Sequence, residues 1–489
     1  MRILVLESST TSAKAMIYDT DTKSFFVDSR AYEFTDNKTD AASIGEQDPR
    51  QIFSTTIEVG RQLCLSKINS DKASRKKIDI IALVNTFHSV MLCDRQMNPQ
   101  TPLYQWHFTG ASSLCRELRH DEEYTLKFYK KTGCMVNSTY PFFKLKLLRQ
   151  NGWALEKYNI MGQGTYNTYR LTGSWVVPDV TVSGSGLLNT HTRDYDDELL
   201  KELSITRENL GALVRYNAAQ TLSAEGAALL GLEPGILVLP SIADGAMNQI
   251  GSGALAMGTM TFSVGTSGAM RLSVPNPVIP DKPSTWCYLS PHAWMSGAAT
   301  PGCTNCVDWF KTQFFDSTMN YEKIEENLSN LSDYSNSAVF LPFLFGERCI
   351  GWKDDRLGGF VDIRPHHTSY DLYYSVLEGV LLNLYQCYEA LTKVSGVPQK
   401  VKLSGGILNS RYWLQMCADI FQIPMEIDHS QHGSIMGGVA IAMEKLGVIP
   451  SLLDIELPIG NIVQPNPYNS DMYRQRYERF LHWYEISAN

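Results

Sequence analysis

Two short turns rich in serine and threonine, each set between strand-forming runs and lying about half a chain apart, constrain this sequence more than any other feature. The first follows Ile3-Leu4-Val5-Leu6 as Glu7-Ser8-Ser9-Thr10-Thr11-Ser12 and leads into Ala13-Lys14-Ala15-Met16-Ile17-Tyr18-Asp19. The second reads Ser263-Val264-Gly265-Thr266-Ser267-Gly268-Ala269-Met270. Both patterns predict hairpins. In the second, Gly265 and Gly268 are expected to supply backbone angles closed to other residues, while Thr266 and Ser267 add hydroxyls beside exposed N–H groups. Such turns cradle anionic oxygens, and a repeated one implies a duplicated architecture with a ligand in the cleft between related halves.

Between the two turns, Ala243-Asp244-Gly245 follows a short apolar run at 235–240 and precedes a Gly-rich helix. A single carboxylate next to phosphate-binding turns points to phosphoryl transfer, although the same aspartate also suits a helix N-cap.

A chain of 489 residues with 44% hydrophobic content has enough apolar material for two large domains. Its net charge of −8 comes without a basic stripe, which argues against nucleic acid or an anionic membrane as partner and for a small molecule. No apolar run approaches the roughly 18–20 residues needed to span a bilayer, and Met1-Arg2-Ile3 runs directly into a strand, so a cytoplasmic protein is expected. The ten cysteines are scattered, and the one close pair, Cys303-x-x-Cys306, has no second pair or histidine to complete a metal site. His366-His367 reads as solvated surface.

Alternation of strand-like runs (78–83 and 89–93) with helical stretches gives an α/β reading. In the second half, Leu372, Val376, Val380, Leu384, Tyr388 and Leu391 predict a core helix over about 371–395, ended by Gly396 and Pro398. A strand at 401–403 then hands over through Gly405-Gly406 to a helix over about 410–421, a natural nucleotide contact. Small residues from Gly433 to Ala442 open a last core helix, where close packing and ligand contact are equally good readings. Tyr473, Tyr477, Phe480, Leu481 and Tyr484 form an aromatic docking stripe.

Several further segments carry a family resemblance. They are Gly45-Glu46-Gln47-Asp48-Pro49, Thr132-Gly133-Cys134 with Tyr140-Pro141-Phe142-Phe143-Lys144-Leu145, Leu341-Pro342-Phe343-Leu344-Phe345-Gly346-Glu347-Arg348, and the stretch 358–378. Together with the two hairpins and Asp244, they resemble the FGGY carbohydrate kinases of the actin-like superfamily nearly end to end. The resemblance implies two actin-like, ribonuclease H-like ATPase domains with an active-site cleft between them. Residues 1–245 would hold the sugar and the first phosphate hairpin, and residues 246–489 the nucleotide, with a hinge near 240–258.

The resemblance also implies ATP and Mg²⁺ as cofactors and, by analogy, a homodimer. Asp244 would be the general base. Thr10, Thr11, Ser12 and Lys14, with Gly265, Thr266 and Ser267, would hold the ATP phosphates, and Gly405, Gly406, Asn409 and Ser410 would line the adenosine site. Phe87, His88, Ser89, Trp106, His107, Asp244 and Arg271 would face the substrate.

The sequence departs from the family pattern twice. Where Asp-x-Gly-Thr-Thr is usual it has Glu7-Ser8-Ser9-Thr10-Thr11, so Glu7 would meet Mg²⁺ through water and Ser9 lacks the freedom of glycine. Where Trp-x-Asp-x-Arg is usual it has Trp106-His107-Phe108-Thr109-Gly110, and Phe108 cannot hydrogen-bond a polyol. Loss of an acidic clamp suits an acidic substrate, with Arg271, His88 and His107 as its partners. Phe87-His88-Ser89, the run Gly265 to Arg271, and Glu378-Gly379-Val380 resemble gluconate kinases more than glycerol kinases, with xylulose kinases close. The expected reaction is phosphorylation of gluconate to 6-phosphogluconate. A xylulose or other pentulose kinase is the nearest alternative, and an impaired nucleotide- and sugar-binding sensor is the alternative of another class.

Overall fold

The computed structural model describes residues 1–33, 45–68, 77–328, 337–428, 432–455 and 460–487. The first half is organised on a six-stranded sheet. Here β1 (Arg2–Ser8), β2 (Ser12–Asp19) and β3 (Ser24–Ala31) form an antiparallel meander, and β4 (Ile80–Asn85) runs parallel to β1. At the far edge β5 (Gln220–Thr221) lies antiparallel to β6 (Leu237–Ala243), which runs parallel to β4.

The second sheet repeats this plan. The strands are β7 (Thr259–Val264), β8 (Gly268–Val274), β9 (Trp286–Ser290), β10 (Ala293–Thr300), β11 (Lys400–Ser404), β12 (Met425–Ile427) and β13 (Ile462–Val463). Their order is β9-β10-β8-β7-β11-β12-β13. The antiparallel and parallel pairings of β10-β8-β7-β11-β12-β13 match those of β3-β2-β1-β4-β6-β5 strand for strand, and β9 is the one addition. The duplication expected from the two turns is therefore present in the whole sheet.

The helices that position the site are α1 (Pro49–Ile68), α2 (Pro141–Gln150), α3 (Asp244–Gly251), α4 (Ser369–Ser395), α5 (Arg411–Phe421), α6 (Gly433–Lys445) and α7 (Ser470–Ile486). Equivalent helices α3 and α6 follow the equivalent strands β6 and β12, and they pack on each other between the halves. Glycine makes that approach possible. A Cβ on Gly251 would fall 1.9 Å from the Gly433 oxygen, and one on Gly437 would fall 2.1 Å from the Met247 oxygen. Most of the small residues at 433–442 thus serve close packing.

Strand alternation divides β1 between two cores. Ile3 and Val5 belong to a large core that reaches Phe480, while Leu4 and Leu6 face a smaller one with Ile52, Phe53 and Ile57 of α1.

The apolar run expected at 235–240 extends as a strand to Ala243. Pro240 has no N–H for the ladder, and the register shifts between Leu239 and Ile242, where pairing resumes with Val84 and continues at Ala243 with Asn85. The expected strand at 89–93 shortens to Met91–Cys93. The helix expected over 371–395 is α4, started by a reciprocal Thr368–Asp371 capping box. The C-terminal aromatic stripe docks on its own chain: Tyr473, Tyr477 and Phe480 are buried, and the Tyr477 hydroxyl donates to Glu389. All ten cysteines are free and buried. Among the described residues no helix is long and apolar enough to cross a membrane.

Candidate active site

Asp244 is the first residue of α3, at the point where β6 ends, so the helix N-cap is Ala243 and not Asp244. One carboxylate oxygen accepts the Gly245 N–H at 2.7 Å and the Phe87 N–H at 3.3 Å. Burial and the nearby Glu7 carboxylate push its pKa up to about 6, against the pull of Arg271 and these two N–H groups. A carboxylate poised near neutrality has the protonation behaviour of a general base.

Around it stands a wall of rings and cations. His88, in the left-handed region at φ 66°, stacks on Phe87 at 4.9 Å and meets Tyr140 and Tyr288 edge-on. Its Nδ1 lies 2.6 Å from the Gly184 oxygen. A carbonyl only accepts, so Nδ1 carries the proton. Burial and the neighbouring Arg348, Lys144 and Arg271 hold the ring's pKa well below the usual range, so the ring is neutral with Nε2 as an acceptor. His107 is likewise pushed down to about 4 by burial and Lys144. His88 and His107, expected as partners of an acidic substrate, are neutral near pH 7, so they would meet it as hydrogen-bonding groups and not as cations. Arg271, on β8, and Arg348 supply the positive charge instead.

Arg348, Lys144 and Tyr288 join the wall, although sequence reading gave them no role. Arg348 donates to the Tyr288 hydroxyl at 3.0 Å and lies over the Tyr140 ring, and its Nε is buried without a hydrogen-bond partner among the described residues. Lys144, on α2 and 1% exposed, donates to the His88 and Gln105 oxygens at 2.8 and 2.6 Å. Those two bonds tie the His88 turn to the Trp106-His107 loop. Lys144 and Arg348 lie inside the segments that carried the family resemblance, and that was their one signal.

One expected substrate contact, Ser89, and the departure at Phe108 are both taken up in packing. The Ser89 hydroxyl accepts the Gln163 N–H at 3.2 Å and is buried. Phe108 is a core residue packed on Tyr104, with Gly45 and Gly110 pressed against it. Trp106 reaches the other ligand's side of the cleft, where its indole N–H donates to Thr10 Oγ1 at 3.2 Å.

Both phosphate-type turns form as hairpins, with reasons that differ from the sequence argument. Ser9 is not in a left-handed conformation, so the turn makes no demand for glycine there. Its hydroxyl donates to the Ser12 oxygen and accepts the Ser12 N–H at 3.2 Å, so that N–H is already used. Nor are Gly265 and Gly268 left-handed. Gly268 is required for space, since a Cβ would lie 2.6 Å from Cys303 Sγ and Leu384 Cδ2. At Gly265 a Cβ would meet nothing closer than 3.9 Å, which leaves room above the turn for a phosphate. Gly405 does need its left-handed φ of 100°, and a Cβ there would lie 2.5 Å from the Val264 oxygen. It thereby locks the turn expected to line the adenosine site onto the second hairpin, with Gly406 beside Thr304. Asn409 is exposed, whereas the Ser410 hydroxyl caps α5 by accepting the Trp413 N–H.

Glu7 is 3% exposed and pairs across the hairpin with Lys14, Nζ to Oε2 being 3.4 Å. Its other oxygen accepts from Ser434, at the start of α6. Oε2 has no hydrogen bond among the described residues. No group of three or more metal-ligating side chains occurs among them either. A single carboxylate with one oxygen that is ion-paired to Lys14 but accepts no hydrogen bond among the described residues fits Mg²⁺, which keeps several waters and is held by one or two carboxylates plus phosphate.

The chain is similar to known proteins over nearly its whole length. Gluconokinase from Bacillus subtilis is 25% identical over 479 residues, covering 95% of this chain and 91% of its own. The structure of xylulose kinase from Lactobacillus acidophilus superposes with a TM-score of 0.92 at 25% identity, covering 100% of this chain and 98% of its own. Gluconate kinase from the same organism gives 0.91 at 24% identity, with the same coverage. The N-terminal domain model of the FGGY family of carbohydrate kinases matches residues 2–251, and its C-terminal domain model matches 260–445. Those two matches fall on the two repeated sheets and their joining helices, so this chain belongs to the FGGY family of carbohydrate kinases.

Proposed function

We propose that this sugar kinase phosphorylates a sugar acid, gluconate to 6-phosphogluconate, with ATP as donor. The observation that carries this reading is the pair of guanidinium groups, Arg271 and Arg348, in the wall beside Asp244, where the usual acidic clamp is absent and both histidines are neutral. A carboxylate substrate finds charge-assisted donors there, while a neutral pentulose leaves Asp244 as the one carboxylate facing Arg271 and adds no charge opposite Arg348. Similarity to a gluconokinase over nearly the whole chain supports the same choice.

In the reaction, Asp244 accepts the proton of the substrate hydroxyl as the new O–P bond forms and the bond to ADP breaks. His88 Nε2 accepts from a substrate hydroxyl and fixes the chain's orientation. Gly265, Thr266 and Ser267 hold phosphate oxygens from one half, with Thr10 and Thr11 from the other. Mg²⁺, when bound beside Glu7, neutralises charge on the transferring group. Residues 1–245 and 246–489 act as the two closing lobes.

A pentulose kinase is the competing reading, favoured by the equally good superposition on a xylulose kinase. The test is Mg²⁺-dependent ADP release against gluconate, other aldonates, xylulose, ribulose and glycerol, with Asp244→Asn as blank. The expected result is a strong response to gluconate that falls about 10²–10⁴-fold in the variant. A response to xylulose alone would overturn the sugar-acid assignment, and release unaffected by any sugar or by Asp244→Asn would overturn the kinase mechanism.

A further inference from the structure

A second pocket, of about 420 Å³, opens between the halves away from Asp244. Asp179, Arg193, Arg215 and Tyr216 line it from the first half, and Ser290, His292 and Trp294 from the second. The second-half wall is the tip of the β9–β10 hairpin, with Ser290 on β9, the strand that has no counterpart in the first sheet, and Trp294 on β10. His292 turns that tip with a left-handed φ of 61°.

The pocket offers donors in excess of acceptors. Ser290 is 2% exposed and Trp294 is 1% exposed, yet the Ser290 hydroxyl and the Trp294 indole N–H have no hydrogen-bond partner among the described residues. A buried polar group left without a partner is costly, and two at one cavity mark a place where a ligand or ordered water completes the bonding. The Arg193 guanidinium lies over the Trp294 ring at 5.4 Å and has no ion pair among the described residues. Asp179, the acidic member of the wall, is already paired with Arg215 at 3.2 Å. Glu444, just behind, is taken by the Tyr216 hydroxyl at 2.7 Å and by His292 Nε2 at 3.0 Å. What remains is the exposed Arg193 guanidinium, whose charge also acts on Asp179, with one hydroxyl and one indole N–H that have no partner among the described residues, and all three can donate.

We infer that this interdomain pocket is a second ligand site that takes the phosphate group of a small metabolite. An oxyanion accepts from the arginine, the hydroxyl and the indole together, a set that a neutral sugar cannot match. Because the walls come from both halves, an occupant ties them together and resists their relative movement. The tie also reaches the catalytic cleft: Glu444 lies at one end of α6, and Ser434, which donates to Glu7, lies at the other. This site is independent of the sugar assigned to the active site.

The test titrates the full-length protein with inorganic phosphate and with malonate at fixed ionic strength, reading tryptophan fluorescence. The signal of interest is the part lost in Trp294→Phe. Phosphate is expected to saturate it, with affinity about ten- to a hundredfold weaker in Arg193→Met and in Ser290→Ala. Phosphate bound at the catalytic hairpins would report through Trp106 and survive in both variants. That result, a response to malonate alone, or no response in the Trp294-dependent signal would overturn the site.

Discussion

At the scale of single residues the decisive quantity is the charge state of Asp244. Its pKa of about 6 is set by burial and by Glu7 and opposed by Arg271, which fixes the sign of three effects. The base works when ionised, so kcat/KM should rise with pH through an acid limb near 6. Glu7→Gln removes a negative neighbour, lowers the Asp244 pKa and moves the limb to lower pH. Arg271→Leu removes a positive neighbour and moves it to higher pH, and on the proposed sugar-acid reading it also weakens substrate binding. A limb that stays put in both variants would show that another group titrates. Stability follows the same sign: the folded-state pKa lies above the unfolded one, so ionisation costs the fold stability as pH rises from about 4 to 6. Asp244→Asn should therefore melt higher than the parent at pH 8, and the gap should close near pH 4. Asp244, the two turns and Arg271 were legible in the sequence because each sits in a local pattern. The neutrality of His88 was not, because it depends on Gly184, Lys144 and Arg348, which meet it only in the folded chain.

Among elements, the hairpins, the core helix α4 and the strand-to-helix handover at Gly405 could be read from periodicity and turn residues. The reasons for individual glycines could not, since they depend on what lies across the gap. Gly265 and Gly268 look alike in sequence, yet one faces open space and the other faces Cys303 and Leu384. Gly405 is the position where local conformation and long-range packing both require glycine. Alanine there would be strained at φ 100° and would push its Cβ into the Val264 carbonyl, next to the Gly265 turn. Gly405→Ala should cost on the order of 1–3 kcal/mol of stability and raise the KM for ATP, leaving the KM for the sugar nearly unchanged. Equal effects on both KM values would mean that the turn serves general packing and not the nucleotide side.

For the whole molecule, the sequence divides into two repeats, yet the packing joins them. The large core includes Ile3 and Val5 of β1, Met260 and Phe262 of β7, and Phe480 of α7. Helices α3 and α6 approach through glycines at the centre, and Val5 lies against Gly438, where a Cβ would come within 2.8 Å. At the periphery Asp354 accepts from Asn137 and Ser138 of the other half. Contacts such as Glu7 with Ser434 connect residues 427 positions apart and have no local signature in the sequence. The division expected near 245 would cut through this shared core, so neither half would bury its apolar face alone. Calorimetry of the full chain should therefore give one cooperative endotherm despite the duplicated fold. A nucleotide at about 100 times its Kd should move that single endotherm as a unit, adding about 2.7 kcal/mol. Two separable endotherms, only one of them displaced by nucleotide, would show instead that the repeats fold independently and meet through an ordinary interface. In that case domain closure would be a sliding of two finished bodies, and the glycine-mediated crossing of α3 and α6 would set its pivot without holding the halves together.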